Sequence, residues 1–116
     1  MATKHSAGSL RGLVHVQQQV EGDDGWGGVV IGWETKATVA AGFLALRGSE
    51  AVMASRLAGK QPYVVTIRSS EMTRTMTPAW RLVDARRSGR VFDIKAISDP
   101  DGRGAWLECL CEEVVS

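Results

Sequence analysis

The chain has 116 residues, of which 44% are hydrophobic and 23% charged, and its net charge is +1. A chain this long holds one compact domain that buries roughly 60–70% of its unfolded surface, and this hydrophobic content excludes wholesale disorder. The near-zero charge argues against a general nucleic-acid binder, and no apolar run approaches the ~20 residues of a membrane span.

Residues 1–7 lack the apolar stretch of a signal peptide and read as a flexible N-terminal arm. Residues 8–116 then form a single β-rich domain, soluble and not secreted, with an expected radius of gyration of about 13 Å. Val14, Val16 and Val20 alternate with His15, Gln17 and Gln19, the period of a half-buried strand. Residues 21–28 combine Glu21, Asp23 and Asp24 with four glycines, a long turn or mobile loop that projects from the domain. Trp33 to Leu46 follows as a strand with Val39, Ala41, Phe43 and Ala45 on one face. Residues 49–59 are the single helical segment. Ser49 caps its start, Glu50 suits the positive end of its dipole, and Gly59 ends it in the left-handed region.

Tyr63 to Ser69 is the next strand, with Tyr63, Val65 and Ile67 on one side. The polar stretch 70–78 ends in Pro78 and reads as a loop. Trp80, Leu82 and Asp84 alternate with Arg81 and Val83, and the Ser88-Gly89 turn returns the chain into Val91–Ile97 as a hairpin. Asp99-Pro100-Asp101-Gly102 is a turn by composition, and Ala105–Val115 is the closing strand. Six short strands and one short helix predict a mainly β fold, a small antiparallel barrel or sandwich with long loops.

The charge is unevenly spread. Residues 47–103 carry 11 basic and 6 acidic side chains, whereas residues 104–116 carry three acidic and no basic ones. Arg86-Arg87-Ser88-Gly89-Arg90 is the sharpest basic stretch, and it reads first as a hairpin tip. Cys109 and Cys111 share the face of their strand with Leu107, which suits buried, reduced core thiols. A zinc site needs two further ligands, and only His5 and His15 are on offer, so neither metal nor cofactor is implied. Asp99 and Asp101 are explained by their turn, and no nucleophile elbow, phosphate loop or zinc-protease helix is present. No enzymatic activity is expected. Trp106 and Leu110 fall on the face opposite Leu107, where they meet either the helix or a neighbouring subunit. Trp26, in its polar loop, leans towards contact with another chain.

The ordered pieces resemble one family. They run from Gly8-Ser9-Leu10-Arg11 through Asp24-Gly25-Trp26-Gly27-Gly28, Trp33, Leu46-Arg47-Gly48-Ser49-Glu50 and Val64-Val65-Thr66-Ile67-Arg68. Gly89-Arg90-Val91-Phe92-Asp93-Ile94, Asp99-Pro100-Asp101-Gly102-Arg103 and Trp106-Leu107-Glu108-Cys109-Leu110-Cys111-Glu112-Glu113 complete the set. Over residues 8–113 the chain is similar to the head–tail joining proteins of tailed phages, the small connector or head-closure (stopper) subunits. It departs from their pattern at Leu46-Arg47-Gly48, where Leu-Ser-Gly is usual, and at Ala85 to Arg90, where a shorter Tyr-Gly-Gly-Arg tip is usual.

The resemblance implies a structural subunit of the virion neck, assembled in the bacterial cytoplasm. It implies a homo-oligomeric ring, six copies with twelve as the alternative, between the portal–adaptor end of the head and a tail terminator or tail tube. DNA passes through such a ring and is retained by it. The resemblance also places residues 46–60 at the channel, with Arg47, Arg56 and Lys60 as candidate lumen or gating groups. Trp26, Trp106 and Leu110 are the candidate subunit-interface residues. The alternative from the residues alone is a small β-barrel that binds nucleic acid as a monomer. Glu108 and Glu112 beside Trp106 repel phosphate and favour the connector.

Overall fold

The computed structural model describes residues 10–87, 89–99 and 104–114. The expected arm, His5, Ser88 and most of the Asp99–Gly102 turn lie outside the described residues. In chain order come β1 (Gly12–Asp23), β2 (Val29–Ala45), helix α1 (Glu50–Leu57) and β3 (Lys60–Arg68). A 3-10 turn at Thr73–Thr75, β4 (Arg81–Asp84), β5 (Val91–Ser98) and β6 (Trp106–Val114) follow. The strands close into a barrel in the order β1-β2-β3-β6-β5-β4, all neighbours antiparallel. Of the two expected architectures, the barrel is the one formed.

Alternation builds the interior. Val14 and Val16 from β1, Val65 and Ile67 from β3, and Cys109 and Cys111 from β6 are fully buried. Phe92 sits among them, stacked on Phe43 at 5.3 Å between ring centroids and met edge-on by Tyr63 at 5.3 Å. The Phe43 ring lies against Gly12, where a Cβ would collide with it, so this position has room only for glycine.

Both ends of the barrel are plugged. At one end the stretch 70–78, expected to be a polar loop, instead winds into the 3-10 turn and sends Met76 inward, followed by Trp80. Buried Thr73 ties this plug down, its hydroxyl accepting from Ser70 N at 2.7 Å and donating to Arg68 O at 3.1 Å. At the other end Arg90 closes the barrel. Its Nε donates to Glu113 Oε2 at 2.7 Å and its Nη2 to Glu113 Oε1 at 3.1 Å and Tyr63 Oη at 3.2 Å. Its guanidinium also lies over Phe92, 5.0 Å from the ring centre. The expected basic tip therefore loses Arg90, because a bidentate carboxylate and three aromatic rings hold it inward. Arg86 and Arg87 remain exposed there.

The principal departure from a compact domain is the β1–β2 hairpin. β1 pairs with β4 only over Val14–Gln17, and β2 with β3 only over Ala41–Ala45. β2 parts from β3 at Ala41, and a bulge between Val16 and Gln17 lies near the point where β1 parts from β4, an extra residue of the kind that bends strands at barrel rims. From Gln18 onward β1 and β2 pair only with each other as far as Asp23 and Val29. The loop expected over 21–28 is thus shorter, because β1 continues to Asp23, and β2 starts at Val29 rather than Trp33. This ribbon stretches the molecule to 53 × 36 × 25 Å with a radius of gyration of 15.2 Å, above the expected ~13 Å of a compact chain.

Candidate functional site

Antiparallel order assigns the connections to opposite ends. The β1–β2 ribbon and the 69–80 plug share one end, while the β2–α1–β3 segment and the Arg86–Arg87 tip share the other.

The ribbon itself is apolar and acidic, while Arg68, Arg74 and Arg81 lie at the barrel end from which it leaves. Trp26 at its tip is 93% exposed, and Val29, Val30 and Ile31 are exposed on both faces of β2. No Lys or Arg occurs between residues 12 and 35, whereas Glu21, Asp23 and Asp24 all lie here. The tip is built rather than loose. Asp24 Oδ1 accepts from Trp26 N at 2.7 Å and from Gly28 N at 2.9 Å, and Asp23 Oδ1 accepts from Gly25 N at 2.8 Å. The hydrogen bonds from Trp26 and Gly28 also hold the Asp24 carboxyl below its usual range, so it stays charged. At the ribbon base Arg81 lies over the Trp33 ring at 4.3 Å and donates from Nε to Gln17 Oε1 at 2.8 Å.

The opposite end carries α1. Ser49 caps it by accepting from Val52 N at 3.1 Å, and Gly59 ends it with φ of +80°, both as expected. Gly48 on the other side has φ of +90°. The two roots of the segment are clamped together: Leu46 N donates to Pro62 O at 3.0 Å, and Gln61 Nε2 bridges the Leu46 and Pro62 carbonyls. The helix itself is held lightly. Of its larger apolar residues Val52, Met53 and Leu57, only Val52 is buried. Met53 is half exposed and Leu57 is 87% exposed. On the helix face Ser55 Oγ donates to Glu112 Oε2, long at 3.4 Å. Arg47, Arg56 and Lys60 are all exposed; Lys60 is already the first residue of β3.

Between α1 and the sheet lies a mainly apolar groove of about 370 Å³, lined by Leu46, Val52, Pro62 and Leu110 among others. At its edge Lys95, bulged out of β5, pairs with Glu112 at 3.4 Å. Leu110 therefore lies partly under the helix. Trp106, on the same outer face, is at the other end of β6, half-buried and covered by Arg68 at 5.4 Å. The two proposed interface residues on β6 thus occupy different environments.

The remaining candidates serve the fold. Burial pushes the Cys109 thiol up to about 12 and the Cys111 thiol higher still, so both stay protonated at neutral pH. Cys111 Sγ donates to the Cys109 carbonyl at 3.4 Å. His15 Nδ1 is 2.7 Å from Thr38 Oγ1 across the β1–β2 pair, and Asp99 Oδ2 accepts from Gly104 N as a turn residue. Among the described residues no group of three or more His, Cys, Asp and Glu side chains is gathered closely enough to hold a metal ion.

A sequence profile for phage head completion proteins matches residues 5–114, nearly the whole chain. The chain belongs to the phage head completion protein family. Its fold is shared with solved structures. A chain from the virion of a native gene transfer agent particle is 26% identical, with a TM-score of 0.60. That similarity covers 90% of this head completion protein and 94% of the other chain. A Shigella flexneri 2a protein solved in solution is 24% identical, with a TM-score of 0.65 over 94% of this chain and 96% of that one, a likeness of fold. No protein with a curated description matches the sequence.

The sequence reading missed two parts of this surface. The ribbon strand Val29-Val30-Ile31 carries a clear β-branched signal, and it was masked by the glycine-rich loop before it. The α1 groove had no local signal, since its walls come from Leu46 just after β2 and from α1, β3, β5 and β6.

Proposed function

We propose that this protein is a head-closure subunit at the virion neck, assembling as a ring between the portal–adaptor end of the head and the tail. The observation that carries this reading is the bipolar build of a head completion family member. A bare apolar ribbon leaves one end of the barrel, and a lightly held helix flanked by the exposed cations Arg47 and Lys60 sits at the other. A two-stranded ribbon is marginal in water by itself, so its exposed valines, Ile31 and Trp26 call for a protein partner. A barrel this small encloses no DNA-wide channel alone, and several copies around an axis do.

In this reading the α1 segment faces the channel and retains DNA. Burial of one valine holds the helix down by about 2 kcal/mol, and Gly48 and Gly59 already use backbone angles closed to other residues. The segment therefore swings at low cost about its clamped roots. Arg47 and Arg56, which lie outside the sheet, meet phosphate and hold DNA by counterion release. The alternative of a monomeric nucleic-acid binder is less well supported. The Trp106 and Trp33 rings are already covered by Arg68 and Arg81, and Glu108 and Glu112 flank Trp106.

The test uses heads assembled with Arg47→Glu/Arg56→Glu protein. They should contain the subunit at the normal level yet leak DNA, and the leak in wild-type heads should grow with salt. Normal DNA retention by the double variant would reduce α1 to a packed helix. Heads lacking the chain altogether that keep their DNA and accept tails would overturn the head-closure role.

A further inference from the structure

We infer that the ribbon tip of one subunit docks in the α1 groove of a second copy of this chain, with Trp26 seated against Leu46, Val52, Pro62 and Leu110. The inference rests on the ring reading above and names the contact that would build it.

Three observations lead to this occupant. The first is shape and polarity. Trp26 is 93% exposed on a tip already ordered by Asp23 and Asp24, so little order remains to be gained on binding. The groove offers about 370 Å³ of mainly apolar space, within the ~300–1,000 Å³ range of pockets that enclose a ligand group. Seating the indole removes ~200 Å² of it from water.

The second is charge. The ribbon presents Glu21, Asp23 and Asp24 with no cation among residues 12–35. The outward side of β3 beside the groove begins with exposed Lys60, next but one to Pro62. The two charged groups in the groove wall, Lys95 and Glu112, pair with each other. Lys60, opposite in sign to the tip, therefore adds charge to the match in polarity.

The third is direction. Tip and groove lie at opposite ends of the barrel. A two-fold contact between tips would set acid against acid and be repelled. A one-way tip-to-groove contact is heterologous and repeats around an axis until it closes, as the ring reading requires, whereas a reciprocal one would end at a dimer and give no ladder in the experiment below. This contact assigns Lys60 to the subunit interface and leaves Arg47 and Arg56 to the channel. It also places the neighbour's Trp26 against Val52 and Ser55 of α1, so ring closure would set the position of the helix.

The experiment is disulfide trapping with the full chain carrying Val29→Cys, exposed beside the tip, and Ser55→Cys together, which leaves Trp26 in place. The native thiols are buried and protonated, so they compete little. Mild oxidation of the double variant should give a ladder of covalent multimers up to the full ring, whereas either single variant should stop at dimers. A second set guards against misfolding: Glu21→Lys and Lys60→Glu alter only exposed side chains. Each change alone should lower the multimer fraction about tenfold, and an equal mixture or the combined chain should restore it. A double variant that enters heads at the wild-type level but forms no ladder would overturn the tip-to-groove contact and leave head closure standing. So would cross-linking of position 29 to a different virion protein, or charge swaps that fail to rescue one another. Loss of the head-closure role is read separately, from heads that lack the chain.

Discussion

Arg90 shows how one residue can invert a reading of charge. In the sequence it belongs to a basic stretch, and in the fold it joins two carboxylates, a tyrosine hydroxyl and three rings. The hydrogen bond to Glu113 raises its already high pKa, so it is charged at every pH the protein meets. Glu113 is almost buried, and removing its partner strands a carboxylate. Arg90→Ala should therefore cost about 2–4 kcal/mol in urea unfolding, approaching the figure for a broken buried pair because Arg90 itself keeps some solvent contact. Arg90→Lys should recover only part of this, since an ammonium cannot grip both Glu113 oxygens.

Asp24 allows a prediction with a definite sign. Its folded pKa lies below 3.8, so the turn it organises is fully present above that ordinary value and is lost only as pH falls through the lowered one. The Trp26 and Gly28 amide resonances should hold their positions from neutrality to pH 4 and shift together below it. Asp24→Asn should keep much of the turn and abolish the acid transition.

At the scale of elements, the ribbon and α1 share a property: both present more apolar surface than they bury. Trp26→Ala should leave the melting temperature of the isolated chain within about 1 °C, because the side chain touches none of the core and exposed substitutions are normally within ±0.5 kcal/mol. The same variant should lose most of its incorporation into heads. A large drop in melting temperature with normal incorporation would show that the indole serves the subunit's own fold.

At the scale of the molecule, barrel and ribbon are separable. Gln17 and Thr35 face each other across β1 and β2 just beyond the bulge. Joining them by an Asn-Gly turn should remove the ribbon and keep the barrel, since core residues Val14, Val16 and Ala41 all lie before the junction or after it. Small-angle scattering should then give a radius of gyration near 13 Å instead of 15.2 Å, with assembly into heads lost.

Local rules were enough for much of this protein. Period-two alternation marked which faces of β1, β3 and β6 turn inward, and Ser49 and Gly59 marked where α1 begins and ends. The ordered motifs carried the family. These features depend on neighbours a few residues apart, which a single sequence displays directly. Tertiary structure decided the rest. It closed the sheet by pairing β1 with β4, drew Met76 and Trp80 into an apparently polar loop, and turned Arg90 inward. It also freed the ribbon from the wall and left Met53 and Leu57 uncovered. Each of these outcomes rests on contacts between distant residues in a closed volume, where burial and pairing are settled by what the other strands leave open.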